Sequence, residues 1–270
     1  MKYLLIINVF FLLFLACTSG FDINKKSIKR PSNKKALKPK TEMVSKKGEG
    51  LPIREALKPD TEADSKQEED STKKIKNKLL NDLNNLIETT NAHKEKYIKI
   101  MEKEPVDQYG MAFRAMKWTS STSEISDNSE KSKKYRRNVY ATLSTIDTKD
   151  LKEFSSVIEL ANRIPNIFNQ LYYLGDTFYE VIDHLYPKKD TLDKIDIPDL
   201  EKLKQSLEKV LSLIKIASEE SKQLLLDYQS DKNSIKTDTT KLTSHIDTLS
   251  NQIEKKVTEA GNLRDVILSI

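Results

Sequence analysis

The sequence predicts an all-α fold: a bundle of about six or seven helices with a long C-terminal helix, preceded by a disordered tether. Three observations predict it. Gly and Pro number only 6 and 8 in 270 residues, too few for a turn-rich β-fold. Beyond residue 72, apolar residues recur at helical spacing between widely separated prolines. Between residue 18 and about residue 72, large apolar side chains are few and scattered, so that stretch cannot bury enough area to offset chain entropy. The expected organisation is a signal peptide over 1–16, a tether over 17–72 and a helical domain over 73–270.

The chain opens Met1-Lys2-Tyr3 and then runs apolar from Leu4 to Ala16, interrupted only by Asn8. That run suits a signal h-region and falls short of the roughly 20 residues a membrane span needs. It stops at Leu15-Ala16-Cys17, and Cys17 is the only cysteine of the chain. A small residue directly before Cys is what a lipoprotein signal peptidase requires, because the thiol is diacylated before cleavage. Phe14 stands at −3, where Leu is commoner, so the lipobox is relaxed. The expectation is lipid attachment at Cys17. Acyl chains contribute about 0.8 kcal/mol per buried CH₂, and stable anchoring takes more than one chain. A lone cysteine also rules out an intramolecular disulfide, which leaves the fold to its apolar core.

In the tether, Ala36-Leu37-Lys38-Pro39-Lys40-Thr41-Glu42 recurs as Ala56-Leu57-Lys58-Pro59-Asp60-Thr61-Glu62, which reads as duplication of a spacer. Residues 21–58 carry twelve Lys/Arg against four Asp/Glu, and residues 59–70 carry one against six. The basic half could face anionic headgroups, or the charges could simply keep the linker solvated.

The helices follow in order. Ile75, Leu79, Leu83, Leu86 and Ile87 begin the first, which continues past Tyr97 and Met101 and ends before Pro105. A shorter piece from Asp107 to Trp118 gathers Tyr109, Phe113, Met116 and Trp118, and Thr119–Asn128 reads as a loop. The next helix spans Lys131–Ile146, with Tyr135, Val139 and Leu143 on one face. Another starts at Thr148 and ends near Pro165. Asn166 is expected to cap a strongly apolar helix running through Phe168, Leu171, Phe178 and Ile182 to a stop before Pro187. Its width suits a central position. Pro198 suits N1 of a long helix, with Asp199 in its first turn. The last helix begins near Ser234 and carries a stripe of Leu242, Ile246, Leu249, Ile253, Val257, Ala260, Leu263 and Ile267, close to a heptad seam.

Catalytic chemistry is not signalled, and neither is a cofactor or metal. There is no GxGxxG, GxxxxGK[ST], HExxH or GxSxG, and carboxylates alternate with Lys as on solvated helix faces. A net charge of +5 without a concentrated basic face gives no case for nucleic acid. His184 reads as a core-edge residue, His93 and His245 as exposed helix positions, and Trp118 as core. The terminal stripe has two readings: packing inside its own domain, or a partner or homodimer face through Ile253, Val257, Leu263 and Ile267.

The chain resembles the paralogous outer-surface lipoproteins of Lyme-disease spirochaetes, the group that includes a factor H-binding complement regulator-acquiring surface protein. The resemblance is carried by Leu15-Ala16-Cys17, the Lys-rich tether, Lys74-Ile75-Lys76-Asn77-Lys78-Leu79-Leu80, Met111-Ala112-Phe113-Arg114 through Trp118, and Lys133-Lys134-Tyr135-Arg136-Arg137-Asn138-Val139-Tyr140. It implies an all-α fold, a lipid-anchored outer-membrane location at the cell surface, and work at the host or tick interface. The best-known member dimerises through its C-terminal helix and captures factor H; many paralogues share the fold without that binding. No short factor H motif can be matched here. The expected function is therefore binding of a host or vector macromolecule, such as a complement regulator or a tick protein. The alternative is a structural or antigenic surface protein without a dedicated ligand.

Overall fold

A computed structural model describes residues 61–119 and 122–270. Cys17, the signal segment and the tether up to residue 60 lie outside the described residues. Among the described residues six α-helices run in chain order: α1 Thr61–Glu102, α2 Glu130–Thr142, α3 Leu151–Leu160, α4 Ile164–Leu185, α5 Ile197–Gln229 and α6 Thr239–Leu268. Short 3-10 segments at Gln108–Gly110, Phe113–Ala115, Tyr186–Lys194 and Lys232–Ser234 fill the connections. Among the described residues there is no strand, only an isolated bridge between Lys117 and Glu124. No helix among them is long and apolar enough to cross a membrane.

α4 is central, as its width foretold. It packs against all five other helices, with Ile167, Phe168, Leu171, Leu174 and Ile182 fully enclosed. α5 and α6 pair along its flank. Leu203, Leu207 and Val210 of α5 and Ile246, Ile253 and Ala260 of α6 are all 0% exposed. Side-chain capping sets three of the helix starts. The side chain of Ser129 accepts from the Ser132 N–H at α2, Asp196 from the Asp199 N–H at α5, and Asp238 from the Thr240 and Lys241 N–H groups at α6.

The boundaries depart from expectation in places. α1 begins at Thr61, inside the stretch assigned to the tether. No Pro or Gly follows Pro59 before Pro105, and a helix already nucleated by packing propagates through polar sequence at little cost. The Asp107–Trp118 piece is two 3-10 turns rather than a helix, because Gln108, Tyr109 and Gly110 adopt positive φ. α2 stops at Thr142 rather than Ile146, and α3 starts at Leu151 rather than Thr148. Pro165, not an Asn166 cap, opens α4 in its first turn. The start near Ser234 is replaced by a left-handed turn at Asp231, Asn233 and Ser234, and α6 begins only after Asp238.

Candidate functional site

Two helices and one loop build an aromatic array that reaches the surface. The Ser129 cap fixes the register of α2, which places Lys131, Lys134 and Tyr135 on one face at spacings of three and four. On the facing side of α4, Asn169, Tyr172, Tyr173 and Asp176 fall at the same kind of spacing. α2 and α4 approach so closely at Gly175 that a Cβ there would lie 2.3 Å from the Asn138 carbonyl oxygen. That approach stacks Tyr135 on Tyr172, with centroids 4.6 Å apart and planes 5° from parallel.

Trp118 meets Tyr135 edge-on at 5.8 Å, and its Nε1–H donates to Ser132 Oγ at 3.1 Å. Its ring face carries the Lys131 ammonium 3.7 Å from the centroid. Tyr173, 5.3 Å from Tyr172, is 55% exposed. The Tyr135 hydroxyl donates to Asn169 Oδ1 at 2.9 Å, and burial raises its pKa well above the usual phenol value. Lys134 pairs with Asp176 at 2.8 Å.

Behind the array lies a buried ionic node. Arg136 is 1% exposed, and its Nε and Nη2 reach the two oxygens of Glu104 at 2.9 and 2.8 Å. Its Nη1 donates to the carbonyls of Ile125 and Asp127, both at 2.8 Å. The Tyr140 hydroxyl donates to Glu104 Oε1 at 2.7 Å. Every charge in the node is therefore met by hydrogen bonds, which is the condition for keeping an ion pair in a core. The node ties the end of α1 and the 105–128 connection to α2, and it holds the loop that presents Trp118.

Of the stripe residues named as a partner face, Ile253 and Ile267 are 0% exposed within this chain, and Val257 and Leu263 are half-buried against the same core. Trp118 is half-buried, packing on Tyr135 with one edge and offering its face to Lys131. The exposed reading of two histidines is corrected. His93 is half-buried, T-shaped against Tyr97 at 5.1 Å and Phe178 at 6.0 Å, and burial with nearby Lys96 lowers its pKa to about 4. His245 is half-buried, 3.9 Å from Asp227. His184 sits half-buried at the edge of the core, beside buried Leu185. Among the described residues, no group of three His, Cys, Asp or Glu side chains could hold a metal ion. The Tyr135–Tyr172–Tyr173 array was missed in the sequence. Its signal was aromatic and Lys residues at helical spacing on two segments, but nothing local says that the two faces meet.

The described head is all-helical, and its aromatic array reaches solvent at Tyr173. The chain belongs to the family described as Borrelia Bbcrasp-1 domain containing protein, whose model matches residues 99–270. It is similar to BSE31 of Borrelia (Borreliella) spielmanii, with 49% identity and a TM-score of 0.71 over 72% of this chain and 99% of that one. The fold is shared with two more distant proteins. BSA64 of Borrelia spielmanii has 16% identity and a TM-score of 0.64 over 73% of this chain and 96% of that one. The Borrelia burgdorferi outer surface lipoprotein BBA64 has 21% identity and a TM-score of 0.54 over 70% of this chain and 98% of that one. No match was found among curated proteins.

Proposed function

We propose that this protein is a surface-displayed lipoprotein, anchored through Cys17, that binds a soluble host or tick protein through the face formed by Trp118, Tyr172, Tyr173 and Lys131. The observation that carries this reading is the partly exposed aromatic array. Trp and Tyr dominate binding hot spots because each buries a large, rigid area at low entropic cost. Here the rings are already fixed by stacking, by a hydrogen bond to Ser132 and by Lys131, so little order remains to be imposed on binding. The aromatic faces beside an ammonium suit a partner with an apolar patch edged by carboxylates. Surface placement is supported by the lipobox at Cys17 and by the outer-surface name of the fold relative BBA64. Complement components are the first partners to test, on the strength of the family.

The test is capture from human serum and from tick extract, using the mature chain carrying Cys17→Ser, with bound proteins identified by mass spectrometry. Tyr173→Ala and Lys131→Glu change exposed side chains and leave the core alone. The expected result is a retained protein whose binding falls tenfold or more in the double variant, the loss of one hot spot of about 2 kcal/mol. Undiminished capture by the variant would move the site off this face. Retention of nothing from either extract would favour an antigenic coat without a dedicated ligand.

A further inference from the structure

α4 ends at Leu185, and the 3-10 segment Tyr186–Lys194 turns the chain into α5. A cavity of about 290 Å³ lies at this turn. Its inner wall is apolar: Leu185, Leu192 and Leu203 line it and are 2%, 3% and 0% exposed. Ile270 adds a further half-buried apolar residue. The rim is cationic, made by exposed Lys188 and Lys194 with half-buried His184. No described Asp or Glu lines the cavity; Asp190 and Asp193, on the same turn, are exposed and stand outside the lining.

Among the described residues neither Lys188 nor Lys194 has a carboxylate within ion-pair distance, whereas Lys189 between them is paired to Glu88 of α1. Lys188 Nζ instead donates to His184 Nε2 at 2.9 Å. That geometry requires a neutral imidazole, in keeping with a pKa lowered by burial and by Lys188 itself. Two ammonium groups outside any ion pair with an Asp or Glu, one of them hydrogen-bonded to His184, stand at the mouth of a leucine-lined cavity and match a ligand with an anion at one end and hydrocarbon at the other. A phosphate or sugar would leave the leucines unmatched, and a neutral hydrocarbon would leave the lysines so.

We propose that this cavity binds a medium-chain fatty acid, with its carboxylate between Lys188 and Lys194 and its chain on Leu185, Leu192 and Leu203. A cavity of about 150 Å³ accepts a benzene ring, so one of roughly twice that size suits a chain of about eight carbons. The site is separate from the aromatic face and stands or falls independently of it.

The experiment is a calorimetric titration of the mature chain carrying Cys17→Ser with octanoate, with octanol and acetate as controls, repeated on the Lys188→Met/Lys194→Met variant. The expected result is saturable 1:1 binding of octanoate, octanol at least tenfold weaker, and no binding of acetate. In the double variant octanoate weakens tenfold or more while octanol binding is retained, which separates loss of the charge from loss of the fold. The proposal is overturned if octanoate does not saturate the wild type, or if octanol binds as tightly and the variant changes nothing. It is also overturned if the protein sediments with vesicles of phosphatidylcholine and phosphatidylglycerol in a lysine-dependent way that octanoate does not compete. That result would assign the rim to a membrane surface.

Discussion

A methyl group at Gly175 would have nowhere to go: its nearest neighbours would be backbone atoms of Asn138, which cannot swing aside as a side chain could. Gly175→Ala is therefore expected to push α2 from α4 and to cost about 1–3 kcal/mol in chemical denaturation. An unchanged midpoint would mean that the two helices are not held in this contact. Arg136 and Arg137 look alike in sequence, yet only one goes inside. Arg136 is enclosed with Glu104, while Arg137 lies over the Tyr179 ring at 4.1 Å. Glu104→Gln keeps the volume and removes the countercharge, which leaves a buried guanidinium unpaired. The expected loss is about 3–5 kcal/mol by denaturant titration, far beyond what an exposed pair would give. Neither the choice of Arg136 nor its pairing with Glu104, 32 residues away, could be read from the sequence, because both depend on which face of α2 meets the turn that follows α1.

Helices themselves were legible where packing and punctuation agreed. α4 and α5 carry wide apolar faces bounded by Pro165, Pro187 and Pro198, and both lie close to where those signals place them. Connections were less legible. Positive φ at Tyr109 has no local signature, whereas Asn233 is of a type that tolerates it, in a turn where the Asp231 carboxylate accepts from the Lys236 and Thr237 N–H groups. The α6 stripe was visible, but periodicity states only that a stripe is covered, not by what; here α4 and α5 cover it. The seat of α1 on α4 contains His93 against Phe178, which the expectation of an exposed histidine overlooked. Its pKa falls from 6.5 when unfolded to about 4 when folded. The unfolded chain thus takes up that proton first as pH drops, so stability is full above about 6.5 and declines towards 4. His184, also held below its ordinary value by burial and Lys188, acts in the same direction below 6.5, whereas Asp247, held low by Arg163, acts below 3.8. His93→Gln should flatten the slope of stability against pH between 6.5 and 4, measured by thermal melts across that range. An unchanged slope would show that His93 takes no part in it.

For the whole molecule, composition told most and the site least. Scarce Gly and Pro, one cysteine and a polar leader after a short apolar run pointed to a helical head on a lipid-anchored tether. The aromatic face and the lysine-rimmed cavity emerged only when separate segments were brought together in space. The aromatic face could capture a host or tick protein only if the helical domain stands outside the cell. The direct measurement is proteolysis of intact spirochaetes expressing the protein, followed by blotting for the head, with a periplasmic protein as the integrity control. The expected result is loss of the head while the control survives, together with loss of membrane attachment in Cys17→Ser. Protection of the head until the outer membrane is breached would contradict surface display, and with it the capture of host or tick proteins.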